Sequence, residues 1–535
     1  MSDTLGTRLA KVLPKSTTFH VHHLSTPPTK CEPLCSPPPN ERPDRTYCEK
    51  HFLCISIDRP VGTEEVKNKQ VLILGVEVFI FTTARATTIF VSKADSTGYL
   101  HILNLPKGTP SPIREVCATF VNFLVDTRRR KDVQLVISLF ARAQDQYLFP
   151  GSVKNKGKHV LDDRGLVKWW CRVLDPILGN RIGGYLVVPG HDAHETKAFL
   201  PKGSTRWTTD HPLEKISHYT KEFDWVPPRC LIPKYPDDPK SRFRDELDDE
   251  ATRTKSFRLT GNWKSVKTLD TFWEMMAFRQ ECSSGRLTGF VWIVFDDEAQ
   301  DDTKNSVLPT PSVSSTEQPQ APETPKKSRT LSNVAVNTTP RKLFTSKTTA
   351  GAVPASATKK TTKKPNKKKR RKLTGIVIAR APRIKTAAKN YEPNAPSHTA
   401  HYAWNEEGRG ERIVRETDYK RMVELLLHLD FSTIDKAAAS TSRWTGEVGM
   451  GASFGYDVVG TRAIPAGTNG ANPSDPSTND LNGLVKRKRA ESGAGSEVNT
   501  LGAGVIRKKP KSDDTAAPTV NTLSAGLVRK KPKKD

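Results

Sequence analysis

Apolar positions come in short, separated runs through the first 300 residues. Segments 70–82 (QVLILGVEVFIFT), 88–92, 133–140 (VQLVISLF), 183–188 and 286–295 have the β-branched and aromatic composition of strands. A shorter strand over 51–57 would bury Cys54. Between these runs, Ile113, Val116, Phe120, Val121 and Leu124 fall at helical spacing behind Pro112, which predicts a helix over 111–125. The same period predicts helices over 163–178 and over 269–282 (LDTFWEMMAFRQEC). Strands and helices mix without strict alternation. The expectation is an α/β or α+β domain, a central mixed sheet flanked by helices, over about residues 1–300.

The pattern changes near 301. From there to about 400 the chain is rich in Ser, Thr, Pro, Lys and Ala, and segment 341–390 holds 17 Lys or Arg and no acid. Such a segment cannot bury enough apolar surface to offset its ordering entropy, so 301–400 is expected to be a disordered basic insertion. Segment 412–429 (RIVRETDYKRMVELLLHL) is then amphipathic at helical period. A helix that apolar needs a partner, so 401–445 is expected to pack back on the first domain. Residues 446–535 read as a disordered tail.

Charge sharpens this division. The 535 residues carry 85 Lys and Arg against 58 Asp and Glu, net +27, with only 35% apolar residues. Residues 1–300 are net +7 and residues 301–535 net +20. The tail holds three similar stretches, 481–489, 499–511 and 521–533, each an apolar patch followed by a basic cluster. They read as peptide-sized ligands rather than a solenoid. The run 363–372 (KKPNKKKRRK) resembles a nuclear-import signal. Together with the terminal clusters it would bind nucleic acid only non-specifically, by counterion release.

Several classes are excluded or weakened. The most apolar stretch, 71–81, is about half a bilayer span and carries Glu77. The first 16 residues hold no long apolar core of a secretory signal, and eight Cys without one point to free thiols in an intracellular protein. Cys31, Cys35, Cys48, His51 and Cys54, near His20, His22 and His23, have a loosely metal-like spacing, but the prolines around them favour a loop and a buried strand. No metal is expected. The phosphate-loop, dinucleotide and HExxH motifs are absent.

Three segments remain. FVSKADSTGY (90–99) is a strand ending in a polar turn with Asp95. QYLFP (146–150) leads through a basic loop with Lys158 and His159 into a helix bearing KWW (168–170). YPDDPKSRF (235–243) sets Asp237 and Asp238 between prolines. Singly, each reads as ordinary structure. In this order they closely resemble the fungal histone H3 lysine acetyltransferases that work with histone chaperones, the regulator-of-Ty1-transposition type. The KWW helix and the strand before it also look like the CBP-type coactivator acetyltransferases.

The resemblance implies an acetyl-CoA-binding core and transfer to lysines of H3, both a core-proximal lysine of newly made H3 and tail lysines. Implied with it are a nuclear location, H3–H4 delivered by chaperones of the anti-silencing and nucleosome-assembly types, and roles in chromatin assembly, replication and repair. A free lysine has a pKa of about 10.4, so taking its proton at pH 7.4 costs about 4 kcal/mol, and a proton acceptor is needed. By match to the family, Asp238 accepts or relays that proton, with Asp237 orienting the loop or sharing the role and Asp95 facing cofactor and substrate. Trp170 would wall the lysine tunnel, and Trp169 would pack on the pantetheine arm. Ala94, Arg142, Gln144, Lys158 and His159 would contact the cofactor, and backbone N–H groups at 111–113 would cradle its pyrophosphate. Lys240 matches a lysine that the family acetylates in itself. The chain departs from its relatives at Ala143-Gln144-Asp145, where they carry Pro-Ala-Ser. Without the resemblance, composition would favour a non-enzymatic chromatin-binding adaptor.

Overall fold

The computed structural model describes residues 3–60, 69–180, 182–252, 260–279, 286–295, 382–384, 387 and 389–464. All lie in the first of two compact units, residues 1–473, the other being 474–535. The import-like run 363–372, most of the basic insertion and the three tail repeats fall outside the described residues.

Eleven strands form one mixed sheet: β1 (Thr18–Ser25), β2 (Thr29–Cys31), β3 (Thr46–Asp58), β4 (Gln70–Thr82), β5 (Ala86–Ser96), β6 (Gln134–Ala141), β7 (Ile182–Val187), β8 (Trp207–Thr208), β9 (Gly289–Phe295), β10 (Arg412–Ile413) and β11 (Tyr456–Val459). Their order is β10-β1-β3-β4-β5-β6-β9-β7-β8, with β11 also on β1 and β2 on β3. The α-helices among the described residues are α1 (Leu5–Val12), α2 (Pro112–Arg128), α3 (Asp163–Leu174), α4 (Ala193–Lys197), α5 (Leu213–Ile216), α6 (Tyr219–Glu222), α7 (Pro228–Leu231), α8 (Pro239–Ala251), α9 (Leu269–Met276), α10 (Glu416–Leu426) and α11 (Ile434–Gly449).

Strand β4 is buried from its second residue to its last, which is why its sequence is a continuous apolar run rather than an alternation. Both sheet faces are covered. On β9, Val291 and Ile293 join the core under α2 and α3, while Phe290, Trp292 and Val294 join a second core under α5 to α9. Helix α2 opens with Pro112, buries Val116, Phe120, Val121 and Leu124, and carries the crossover that makes β5 and β6 parallel.

The C-terminal part differs from expectation in two places. The helix expected from 412 starts only at Glu416, because Arg412 and Ile413 pair in parallel with Leu24 and Ser25 of β1. The open edge of β1 offers main-chain partners, and Val414 N donates to Ser25 O at 3.0 Å. Order also runs past the expected boundary at 446. Helix α11 continues to Gly449, and β11 pairs antiparallel with Thr18 to Val21. Helices α10 and α11 do pack back on the first part. Thr441 Oγ1 accepts from Leu72 N at 2.9 Å, and Tyr419 donates to His51 O at 3.1 Å. The helix expected over 163–178 stops at Leu174, since Pro176 turns the chain into a 3-10 segment.

Candidate active site

Strands β5 and β6 pair from Ala86–Gln134 to Val91–Leu139 and no further. Beyond that point β5 continues to Ser96 on β4 alone, and β6 continues to Ala141 on β9 alone. A register shift between Glu77 and Val78 leaves Ser92 as the extra residue on β5, and such a bulge bends a strand away from its neighbour. The parting lies at the C-terminal ends of two parallel strands, where open α/β sheets bind ligands.

Asp95 organises one side of the parting. Its Oδ2 accepts from Tyr147 N at 2.8 Å, Leu148 N at 2.9 Å and Phe149 N at 3.3 Å, which folds the QYLFP segment onto β5. Its Oδ1 accepts from Ser96 N at 2.8 Å and from Lys158 Nζ at 2.9 Å. Lys158 also donates to Ser152 Oγ at 2.8 Å, and its side chain is 4% exposed. Gly98 permits this closure. It has φ +87, and a Cβ there would stand 2.4 Å from Lys158 N. The charge of Lys158, expected at the cofactor phosphates, is thus committed to Asp95. The lone pairs of Asp95 are likewise committed, which suits holding a loop better than accepting a proton.

Around this hub, Gln144 and His159 are exposed, and Ala94 is half-buried opposite Val76. Arg142 is half-buried. Its carbonyl accepts from Tyr147 OH at 2.7 Å, and its buried Nε has no partner among the described residues. Asp163, at the first turn of α3, draws the site together in a way the sequence did not announce. It accepts from Ala143 N at 2.9 Å and from Leu287 N at 3.1 Å, tying β6 and the entry to β9 to α3. Among the described residues the helix start at 111–113 makes no hydrogen bond or ion pair with this hub. Glu115 in its first turn pairs with Arg114 and Arg462.

The Pro-Asp-Asp-Pro turn reaches β5 through Lys93, on the same strand face as Asp95. Asp237 takes φ +59 and is largely exposed, 3.2 Å from Lys93 Nζ. Lys93 also stands 3.3 Å from Glu77 Oε2, so it joins β4 and β5 to this turn two residues before Asp95. Asp238 caps α8 and is 1% exposed. Its Oδ1 accepts from Lys240 N at 3.0 Å, and its Oδ2 is paired with the Lys240 ammonium. The ammonium lies 4.6 Å from the Tyr235 ring centre and 5.5 Å from that of Phe290, and Tyr235 stacks on Phe90 at 4.2 Å. Burial pushes the Asp238 carboxyl up against the pull of Lys240. Burial likewise pushes the Lys240 amine down against the pull of Asp238.

Trp170 is buried in α3, edge to face with half-buried Trp169 at 4.9 Å. The structure does not bring Trp170 and Asp238 together on one surface. Val167 of α3 crowds Gly289, whereas Lys240 packs on the next residue, Phe290, so the two groups lie on opposite faces of the sheet.

The N-terminal Cys and His residues form no ligand set. Among the described residues no group of three or more His, Cys, Asp or Glu is placed to hold a metal ion. Cys31, Cys35, Cys48 and Cys54 are free thiols, and burial pushes Cys31 and Cys35 up to about 11. His51 is bonded to His23 and Glu49 instead. No helix among the described residues is long and apolar enough to cross a membrane.

A split sheet with a loop tied into the gap and a buried lysine–aspartate pair beside it fits a group-transfer enzyme. The sequence profile of the histone acetyltransferase KAT11-type domain matches residues 5–135 and 130–447, and the chain belongs to this family. Within it, the similarity is to the Rtt109 type. The chain is 40% identical over 529 residues to histone acetyltransferase rtt109 of Aspergillus flavus, covering 91% of this chain and 89% of that one. It is 33% identical over 234 residues to the Schizosaccharomyces pombe enzyme of the same name, covering 42% and 57%. The crystal structure of Rtt109 from Aspergillus fumigatus superposes with a TM-score of 0.60 at 36% identity, over 86% of this chain and 99% of that one. The chain is therefore a histone acetyltransferase, which sets aside the adaptor reading, and its class implies acetyl-CoA, a histone substrate and a nuclear role. The parting of β5 and β6 fits the donor, since the partnerless Arg142 Nε is a donor suited to a phosphate oxygen.

Proposed function

We propose that the chain acetylates lysines of histone H3, a core-proximal lysine of newly made H3 and lysines of its tail, with H3–H4 presented by histone chaperones in the nucleus. The observation that supports this most is the QYLFP loop held by Asp95 across the parting of β5 and β6. Acetyl-CoA supplies, when bound, a thioester carbonyl that an uncharged lysine amine can attack.

The residues of the chain divide the remaining work. Asp95 and Lys158 hold the loop that borders the donor. Arg142 binds phosphate, with Gln144, His159 and Ala94 along the same edge. Trp169 and Trp170 form the wall on the α3 side and exclude water. Asp238 accepts the proton that the substrate ammonium must lose, directly or through a water. Its carboxyl is already raised by burial, but Lys240 occupies it. Acetylation of Lys240 would remove that counter-charge, leave Asp238 free and raise its proton affinity further. Self-acetylation would in this way prepare the base, and Asp237 with Lys93 would hold the turn that carries it.

The test is transfer from labelled acetyl-CoA to H3–H4, with and without a histone chaperone, for wild type, Asp238→Asn and Lys240→Arg. The expected result is chaperone-stimulated transfer that falls at least tenfold in Asp238→Asn. Equal transfer by Asp238→Asn and wild type would remove Asp238 from the mechanism, and transfer indifferent to every chaperone would remove the presentation step.

A further inference from the structure

A cavity of about 450 Å³ opens between the start of α1, the middle of α2 and the segment 406–413. Leu5, Phe123, Ile413 and Tyr456 supply its apolar lining, and Glu406, Glu407, Glu411 and His23 its polar one. Arg409 also lines it, but its guanidinium stacks 3.8 Å from the Trp404 ring centre and donates at 3.0 Å to both Ser397 Oγ and Trp404 O. It also stands 3.5 Å from Glu406, whose charge it screens. Glu407 has no hydrogen bond or ion pair among the described residues. Among the described residues the Glu411 carboxylate accepts only from Gly455 N, at 2.8 Å, on one oxygen.

His23 adds a third acceptor, and the reason is a chain of hydrogen bonds. Arg128 donates through two nitrogens to Glu49, with Nε at 2.9 Å. Although burial opposes it, Arg128 with His51 holds the Glu49 carboxyl down to about 2, so Glu49 has no proton to give. His51, kept neutral by burial, must therefore donate from Nε2 to Glu49 at 2.8 Å and accept at Nδ1. His23 then donates from Nε2 to His51 Nδ1 at 2.9 Å. That leaves His23 Nδ1 a bare lone pair without a partner among the described residues. His23 is 3% exposed, and its ring packs on Phe120, the α2 side of the sheet, one turn from Phe123 in the cavity wall.

A pocket with an apolar floor, three carboxylates against the single guanidinium of Arg409, and the imidazole lone pair of His23 fits the side chain of a lysine or arginine. The stem would lie on Phe123 and Tyr456, with the head between Glu407, Glu411 and His23. We propose that this cavity is an accessory site for a basic side chain of the histone substrate, separate from the transfer site at the parting of β5 and β6. Charge complementarity with a lysine- and arginine-rich partner carries the assignment. The identity of that partner rests on the proposed function above.

The test begins with binding, which needs no transfer. Fluorescein-labelled octalysine is titrated into the full-length wild type, into Glu407→Gln/Glu411→Gln, and into the control Asp249→Asn/Glu250→Gln at two exposed positions of α8. Roughly three- to tenfold weaker binding is expected in the first variant and none in the control. Equal losses in both, or no loss in either, overturn the site. With H3–H4 as acceptor, the first variant should raise KM with kcat unchanged, while KM for a short peptide with a single lysine stays as in wild type. A parallel rise for both acceptors overturns the accessory role. Octalysine displaced better by a synthetic peptide of residues 499–511 than by H3–H4 assigns the pocket to the chain's own tail and overturns the histone assignment. Absence of transfer by wild type sinks the acetylation reading instead, and the titration still judges the site.

Discussion

Lys158 Nζ and Asp95 Oδ1 stand 2.9 Å apart with both side chains almost fully enclosed, and the same carboxylate holds three successive backbone N–H groups of the QYLFP loop. The two residues are 63 apart in sequence, yet together they fix the gap between β5 and β6.

Lys158→Met leaves a buried carboxylate without its cation. Breaking such a pair costs about 3–5 kcal/mol. Urea unfolding should show that loss, and Asp95→Asn/Lys158→Met should recover part of it, because no uncompensated charge remains. A double variant no more stable than Lys158→Met would show that the pair is not what orders the loop.

Two glycines with similar backbone angles separate strain from crowding. Gly98→Ala faces both φ +87 and a contact of 2.4 Å to Lys158 N, whereas Gly108→Ala faces φ +86 with nothing within 4 Å. The second should cost only about 1–2 kcal/mol, from the left-handed conformation. The first should cost more and lower acetyl transfer, since the Lys158 loop must move. Equal unfolding midpoints for the two variants would contradict this.

Lys240→Gln keeps a neutral amide beside Asp238 and removes its counter-charge. The folded-state pKa of Asp238, already above the unfolded value through burial, then rises further. The folded state binds more protons than the unfolded one in that range, so stability must increase as pH falls. Denaturation of this variant, referenced to wild type, should shift toward greater stability as pH falls from 7 toward the ordinary carboxylate range. An unchanged difference across that range would mean that the amide leaves Asp238 as it was.

His22 supplies the opposite slope. Burial lowers it to about 4, and it keeps bonds to Phe454 O at 2.9 Å and Ser56 Oγ at 3.0 Å. Between pH 6.5 and 4 the unfolded chain binds the extra proton, so stability falls with falling pH. From pH 7 to 5 this single group accounts for about 2 kcal/mol. His22→Asn should lose stability at pH 7 but show a pH 7-to-5 decline smaller by that amount. An identical decline would place the sensitivity elsewhere.

The sheet and most of its helices are legible in the sequence where burial on two faces writes a continuous apolar run, as in β4, or where a proline sets a helix start, as in α2. Strands β10 and β11 are not. Two and four residues carry no period, and their stability comes from the edge of β1 rather than from their own composition. Motif order brought Asp95, Asp238, Lys240 and the tryptophans to notice, but not what they touch. The commitment of Lys158 to Asp95, and the placing of Trp170 and Asp238 on opposite faces, are properties of strand alternation and loop closure. Asp163 is not legible in the sequence, because one acid at a helix start looks like any other. Glu77, seen only as a charge in an apolar strand, proved to bind Ser92 at 3.0 Å and Tyr419 at 3.2 Å.

Strand β1 is made among the first 25 residues, yet two of its three neighbours are β10 and β11, which end at Ile413 and Val459. At about 5–20 residues per second, a ribosome adding residues from the end of β1 to the end of β11 needs roughly 20–90 s. Until Ile413 is added β1 can hold only β3 of these three, and part of its edge stays open to other chains until β11 follows. A nascent chain of this protein therefore carries an unfinished sheet until Val459 has been added, and any delay between residues 60 and 412 lengthens the period in which a chaperone, rather than the fold, must guard that edge.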